Sequence, residues 1–212
     1  MTPATPARQT DPVPETPEPT DEPTPEPTDE PTDEPTDEPT DEPAVVALAR
    51  RIATEAHRGV DQRDKQQRDY VEAHLAPVAA GCALFGPEAQ AAGWLHDVVE
   101  DTPTTLADLQ RHGIPQEVLD AVDSVTERAG EPYTQLVHRA AADPIGAIVK
   151  LVDNAWNLLG NTGLAHTRPE DARRLREKYL PARAVLLAGT GISALRMHEL
   201  DVVLREQQDR LG

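Results

Sequence analysis

Residues 94–102 read Trp-Leu-His-Asp-Val-Val-Glu-Asp-Thr and place His96 and Asp97 just before two further carboxylates, Glu100 and Asp101. On one continuous helix His96 would lie one turn from Glu100, and Asp97 one turn from Asp101, so that all four edge a single cleft. Burying these groups unpaired among leucine and valine side chains would be costly, and a bound cation or a solvent-filled pocket would relieve that cost. A mixed imidazole and carboxylate set suits Mn²⁺, Fe²⁺ or Zn²⁺ carrying a bound water.

Two distant positions are candidates to complete this set. His74 lies on a helix that the apolar spacing predicts over residues 70–85, and Asp153 lies on another predicted over residues 144–160. On the second helix Asp153 and Asn157 share a face, because they are four residues apart. We therefore expect His74 and Asp153 to face the pair His96-Asp97.

The remaining pattern beyond residue 44 is helical. Apolar residues recur at three and four positions, and no alternating run is bounded by hairpin turns, so the predicted class is all-α. Besides the two helices above, we expect helices from Val45 to near Gly59, from Pro87 through Val98, from Thr104 or Thr105 through Leu109, from Pro115 through Val125, over 133–141, and over 169–207 in two pieces around Gly189 to Gly191.

Composition divides the chain near residue 44. Residues 1–44 hold 14 acidic residues, one basic residue and 13 of the 21 prolines, with a Pro-Thr-Asp-Glu repeat, which predicts a disordered acidic tail. It is interpreted as a solubilising leader, with an acidic docking arm as the alternative. Residues 45–212 carry a net charge of about −5 and form one globular domain.

The composition also excludes several classes of function. No apolar run is long enough to cross a bilayer, and no secretory signal precedes the domain, so we expect a cytoplasmic protein without a membrane partner. The acidic balance argues against nucleic acid as the main partner, because phosphate neutralisation needs clustered Lys and Arg. The single cysteine, Cys82, is interpreted as a small core residue.

These residues resemble the HD-domain metal-dependent phosphohydrolases, and within them the (p)ppGpp hydrolase domains of the RelA/SpoT type and their small stand-alone relatives. His96-Asp97 looks like the pair that names the family, and residues 95–102 are close to the subfamily's form of that motif. Residues 149–153 with Asn157 are similar to the later helix that gives the last metal ligand. The upstream match to the nucleotide-holding loop and first histidine comprises His57, Gly59, Arg63, Lys65, Tyr70 and His74.

The resemblance, which covers about residues 45–160, implies an all-helical HD bundle that holds a divalent cation. Mn²⁺ is the usual ion, with Fe²⁺, Zn²⁺ or Mg²⁺ as alternatives. The implied metal ligands are His74, His96, Asp97 and Asp153. The pair implied to position or activate the attacking water is Glu100 and Asp101. The implied substrate contacts are Arg63, Lys65, Lys150 and Asn157.

The sequence departs from the family pattern around the nucleotide loop and the first histidine. His74 follows Tyr70 by one residue more than expected, and the proline that normally follows the histidine directly is found at Pro77. Trp156 stands where a histidine or tyrosine is usual. Residues 65–69, Lys-Gln-Gln-Arg-Asp, replace the glycine-rich turn before the tyrosine. The metal ligands are therefore retained while the loop is remodelled.

The implied reaction is hydrolysis of the 3′-pyrophosphate of a (p)ppGpp-like alarmone, with release of pyrophosphate. The expected partner is thus a phosphorylated purine nucleotide. Two alternatives stay open: an HD hydrolase that acts on another phosphorylated nucleotide, and a nucleotide-sensing module without catalysis. Glu100 and Asp101 count against the sensing module, because a scaffold alone does not need catalytic carboxylates.

Overall fold

The structure is a computed structural model that describes residues 1, 42–58, 60, 63–64 and 66–211. Most of the predicted tail, residues 2–41, lies outside the described residues, so its disorder and the boundary at residue 44 stay predictions. The described residues form helices and contain no β-strand, and the predicted all-α class is confirmed.

Ten α-helices are present in the described part of the chain. They are α1 (Ala44–His57), α2 (Ala76–Cys82), α3 (Pro87–Leu95), α4 (Val98–Asp101), α5 (Leu106–Arg111), α6 (Gln116–Val125), α7 (Tyr133–Ala142), α8 (Pro144–Thr167), α9 (Pro169–Thr190) and α10 (Ala194–Arg210). A π-helical turn, Val71–Leu75, leads into α2, and a 3₁₀ turn, Ala83–Phe85, follows it. The helix predicted over residues 70–85 is therefore one helical segment in three successive geometries.

Helix α8 is the central element, packing against α2, α3, α6, α7, α9 and α10. It begins sharply because Pro144 occupies its first turn and the Asp143 side chain accepts from the backbone N–H groups of Ile145 and Gly146. Its apolar side chains, such as Val149, Leu151 and Val152, are fully buried. The core of the domain therefore surrounds the helix that carries Asp153.

The prediction that this helix ends at residue 160 is wrong, because α8 continues to Thr167. Two buried side-chain amides join this helix to α9. The Asn154 amide donates to the Tyr179 carbonyl at 2.9 Å, and the Asn161 amide donates to the Ala172 carbonyl at 2.7 Å. These tertiary contacts outweigh the weak helix propensity of the two glycines in this stretch.

Local turn chemistry explains several helix ends. Thr105 caps α5 in a reciprocal capping box with Asp108, which satisfies two backbone N–H groups. Gly191 ends α9 in the left-handed region, with φ of 61°, and thereby separates α9 from α10 as predicted. None of the described helices is both long and apolar enough to cross a membrane.

Helices pack closely in the described core at Gly81. A Cβ atom built at Gly81 would lie 2.7 Å from Val152 Cγ1 and 3.0 Å from Leu200 Cδ1, so α2 can approach α8 and α10 only without a side chain there. Gly163 on α8 has no atom within 4 Å of the corresponding position.

We predict opposite effects on stability from alanine at these two helical glycines. Gly81→Ala should lower the free energy of unfolding by about 1 kcal/mol, because overpacking outweighs the gain in helix propensity. Gly163→Ala should raise it by about 0.5–1 kcal/mol through propensity alone. Urea denaturation of both variants measures the difference, and an equal or higher stability of Gly81→Ala would contradict the packing described here.

Candidate metal centre

All four predicted metal ligands lie together in the centre of the domain. His74 comes from the π turn, His96 and Asp97 from the junction of α3 and α4, and Asp153 from α8. The Nε2 atoms of His74 and His96 are 3.2 Å apart. Asp97 Oδ2 lies 3.3 Å from His74 Nε2 and 3.0 Å from His96 Nε2, and Asp153 Oδ1 lies 3.5 Å from His74 Nε2. Distant parts of the sequence therefore form one buried cluster.

The orientation of His96 is fixed by the end of α3. Its Nδ1–H donates to the Gly93 carbonyl at 2.8 Å, so the neutral ring would carry its lone pair on Nε2, toward the carboxylates. A backbone acceptor on the far nitrogen is the usual way in which proteins orient a metal-binding histidine. His96 is only 1% exposed, which leaves Nε2 no access to bulk water as a partner.

The continuous helix predicted from Pro87 through Val98 is wrong. Helix α3 ends at Leu95, and Asp97 adopts φ −105° and ψ −4° before α4 begins at Val98. The break lets the side chains of both His96 and Asp97 reach the cluster. Glu100 and Asp101 are consequently presented by a separate short helix.

The extra residue between Tyr70 and His74 is accommodated as the π turn. The Ala76 N–H donates to the Val71 carbonyl, five residues earlier, as expected when one residue is inserted into a helix. This wider turn places the His74 ring between the Tyr70 ring, with centroids 4.9 Å apart, and the His96 ring at 5.2 Å. The π turn therefore keeps His74 in the cluster although the spacing from Tyr70 departs from the family pattern.

The charges of the cluster compensate one another. Burial raises the pKa of Asp97, but the two histidines outweigh it and hold the pKa well below its usual range. Burial likewise raises the pKa of Asp153, and Lys150 with the histidines lowers it overall. Burial lowers the pKa of His96, whereas Asp97 and Asp153 raise it to a net value of about 9.

Lys150, predicted as a substrate contact, is a buried neighbour of the cluster. Its Nζ lies 3.2 Å from Asp153 Oδ2, one turn away on α8, and the residue is 8% exposed. Asn157, one turn further along, donates its amide to Asp153 Oδ1 at 2.5 Å. Both side chains therefore hold the Asp153 carboxylate in place.

The donor set fits a divalent cation. One ligand atom each from His74, His96 and Asp153 lies within 4.8 Å of the others, and all three residues are buried. Two imidazoles and carboxylates without thiolate suit Mn²⁺, Fe²⁺ or Zn²⁺. A cation between them would also neutralise two buried carboxylates that otherwise rely on Lys150 and a protonated His96.

A pocket of about 590 Å³ opens on one side of this cluster, and Asp97, Glu100 and Asp101 line it. Glu100 Oε1 accepts from the Glu127 backbone N–H at 2.8 Å. Burial raises the pKa of the Glu100 carboxyl, and the Glu127 hydrogen bond only partly opposes this. The structure thus brings both predicted catalytic carboxylates to one wall beside Asp97.

A second pocket, of about 370 Å³, lies on the other side of His74. Its lining includes Arg63, Trp156 and Asn157, so two of the predicted substrate contacts share one cavity with a ligand histidine. Arg68 contributes another guanidinium there, paired to Asp64 at 2.8 Å. Lys65, the remaining predicted contact, lies outside the described residues.

Tyr70 separates the two pockets and was not among the predicted site residues. Its hydroxyl donates to Asp97 Oδ2 at 2.5 Å, and burial together with Asp97 raises the pKa of the phenol. The ring lines both cavities and also stacks on His57. The sequence contained one signal for a role of Tyr70 in the site, its spacing to His74, because an aromatic residue one turn before a ligand histidine shares its helix face.

Comparisons with known proteins identify relatives by sequence and by fold. No protein-family model matches the chain. It is 27% identical over 175 residues to guanosine-3′,5′-bis(diphosphate) 3′-pyrophosphohydrolase MESH1 of Xenopus tropicalis, an alignment that covers 77% of this chain and 95% of that protein. It is 27% identical over 161 residues to the bifunctional (p)ppGpp synthase/hydrolase SpoT of Escherichia coli, covering 68% of this chain and 22% of SpoT.

A solved structure gives the same result for the fold. That structure, described as a metazoan ortholog of SpoT that hydrolyzes ppGpp, superposes with a TM-score of 0.58 at 22% identity and covers 79% of this chain and 98% of its own. The chain therefore shares the fold of that structure. The chain is similar to the (p)ppGpp hydrolases in particular, and the predicted resemblance is confirmed.

Cation binding at this cluster should release a proton from His96. The pKa of about 9 lies above the ordinary value of about 6.5, so the metal-free protein is protonated there at pH 7.5. We expect release of about one proton per Mn²⁺ bound, and an apparent affinity that rises about tenfold per pH unit until about pH 9. Calorimetry in buffers of different ionisation enthalpy measures the release.

The exposed His112 provides the matched control, because His112→Ala should leave proton release unchanged. A binding enthalpy independent of the buffer would show that His96 binds no cation or is already neutral.

Proposed function

We propose that the chain is a metal-dependent phosphohydrolase that removes the 3′-pyrophosphate of (p)ppGpp-like alarmones. The observation that carries this proposal is the convergence of His74, His96 and Asp153 between two pockets, one bearing carboxylates and the other guanidinium groups. The names of MESH1 and SpoT, both hydrolases of this class of nucleotide, support the substrate. The predicted cytoplasmic location is part of the same proposal.

The proposed ligands are His74, His96, Asp97 and Asp153, and the proposed ion is Mn²⁺. A divalent cation held there would lower the pKa of a bound water toward neutrality and so supply a nucleophile at neutral pH. The protein contributes the orientation, through Gly93 on His96 and through Asn157 and Lys150 on Asp153.

Glu100 is the proposed general base. Its raised pKa brings the carboxyl closer to the working pH, which favours proton transfer from the attacking water. The Glu127 N–H holds one carboxylate oxygen and leaves the other for the water. Asp101, on the same wall, keeps a second negative charge beside Glu100 and contributes to its raised pKa.

The substrate phosphates would lie on the guanidinium side. Arg63, with Lys65 from the same loop, is proposed to neutralise the pyrophosphate and the charge that develops during displacement. Asn157 is proposed to contact the nucleotide from α8. The water oxygen bonds to the phosphorus next to the 3′ oxygen, and the bond between that phosphorus and the 3′ oxygen breaks. Glu100 takes one proton from the water, and the 3′ oxygen gains one proton to become the hydroxyl of the nucleotide while pyrophosphate leaves.

A second substrate class is favoured by the remodelled loop. Gln66 donates to the Gly160 carbonyl of α8 at 3.4 Å, and Arg68 pairs with Asp64 within the loop. Such a loop could select another phosphorylated nucleotide with the same metal and base.

The decisive experiment measures pyrophosphate release by the full chain with Mn²⁺. The substrates offered are ppGpp, pppGpp, GTP, GDP and ATP, and Asp97→Ala is the inactive control. Turnover of ppGpp and pppGpp that disappears in Asp97→Ala supports the proposal. Turnover of another nucleotide reassigns the substrate, and metal binding without any turnover favours a nucleotide sensor.

Replacing the proposed base separates catalysis from metal binding. Glu100→Gln should retain Mn²⁺ affinity and lose turnover by at least about 100-fold, because the amide cannot accept the proton. The exposed Glu117→Gln removes the same charge from α6 and should behave as the parent chain. Equal loss of metal and turnover in Glu100→Gln would make Glu100 a ligand rather than the base.

A further inference from the structure

The backbone that carries His74 lacks one of its helical hydrogen bonds. Pro77 has no N–H, so the Ala73 carbonyl, four residues earlier, cannot accept the bond that a helix would normally provide. Ala73 is 1% exposed, which also keeps bulk water from this carbonyl. An unpaired carbonyl at such a position is costly, and it needs a partner from another element.

That partner is Trp156. Its indole Nε1–H donates to the Ala73 carbonyl at 3.0 Å, across a separation of 83 residues. Trp156 is buried on α8, three residues after the candidate ligand Asp153, and Ala73 directly precedes the candidate ligand His74. One hydrogen bond therefore joins the two elements that bring these ligands together.

We propose that Trp156 is a positioning residue that fixes His74 in the metal-binding orientation through the Ala73 carbonyl. The π turn holds one more residue than an α-helical turn of the same rise, and relaxation to α geometry would rotate its side chains by about 100° around the helix axis. A rotation of that size would remove His74 Nε2 from His96 and Asp97. The indole bond, anchored on the central helix α8, opposes this rotation.

Three sequence features meet at this one carbonyl. They are the extra residue between Tyr70 and His74, the proline at position 77, and the tryptophan at position 156. The extra residue creates the π turn, the proline removes an amide donor, and the tryptophan supplies one. The tryptophan thus replaces the donor that the proline removes, next to the turn that the extra residue creates.

The matched test compares the two tryptophans. Trp156→Phe removes the indole donor and keeps an aromatic ring, whereas Trp94→Phe makes the same change at a buried indole whose Nε1 has no hydrogen-bond partner among the described residues. The inference rests on the proposed metal site, so the readout is the affinity of the full chain for Mn²⁺, measured by chelator competition. The visible spectrum of bound Co²⁺ reports the ligand geometry independently of activity.

We expect Trp156→Phe to weaken metal binding by about 10- to 100-fold and to change the Co²⁺ spectrum, as the loss of groups that orient metal ligands does. Trp94→Phe should change neither. In a His74→Ala background, Trp156→Phe should cost no further affinity, because its effect passes through His74. A purely structural role would lower the melting temperature and leave the affinity and spectrum of the folded protein unchanged.

The outcomes separate the two hypotheses. If His74→Ala weakens binding and Trp156→Phe does not, the positioning role is wrong and the metal site stands. If His74→Ala leaves Mn²⁺ affinity unchanged, the proposed site itself is wrong and the inference falls with it. Should Trp156→Phe fold poorly, 3-benzothienylalanine incorporated in the Trp94→Phe background keeps the indole shape without its N–H, and the same comparison applies.

Discussion

The burial of two carboxylates within a helical core is the constraint on which the rest of this structure depends. Asp97 and Asp153 lie almost out of reach of water, and each would be unstable there alone. The chain compensates them with His96 and Lys150, and orients them with Asn157 and the Tyr70 hydroxyl. This compensation keeps both carboxylates ionised in the core of the folded protein.

Two irregularities of the helices and one loop serve this cluster. The break after Leu95 turns both His96 and Asp97 inward, and the π turn does the same for His74. The loop after α6 is held by Arg139, whose guanidinium donates to the Thr126 carbonyl and pairs with Glu131, and this loop supplies the Glu127 N–H to Glu100. Regular helices form the frame, and local departures from regularity place the reactive groups.

Features that depend on local patterns could be predicted from the sequence, whereas features that depend on contacts between distant residues could not. Helices α1, α6 and α7 were predicted because each has one apolar face, a local pattern. The break at Asp97 was not predicted. His96 and Gly93, which share a hydrogen bond at this break, are three residues apart, and the same spacing occurs within a continuous helix. The end of α8 was missed because Asn154 and Asn161 contact α9, and no local pattern reports such contacts.

The clustering of His74, His96, Asp97 and Asp153 was expected from motif and resemblance, but the Tyr70 and Glu127 contacts depend on tertiary packing.

The same charges connect metal binding with substrate binding. In the metal-free protein, the two carboxylates balance the protonated His96 and Lys150, so these four groups carry no net charge. A divalent cation that displaces the His96 proton leaves one net positive charge on the same groups, in a site of low polarisability where it acts strongly. Phosphate groups in the pocket lined by Arg63 and Arg68 would then be attracted to the centre. The charge of the buried Lys150 therefore leaves the metal-bound cluster with a net positive charge. A neutral residue at this position would leave the cluster uncharged and without attraction for an anion.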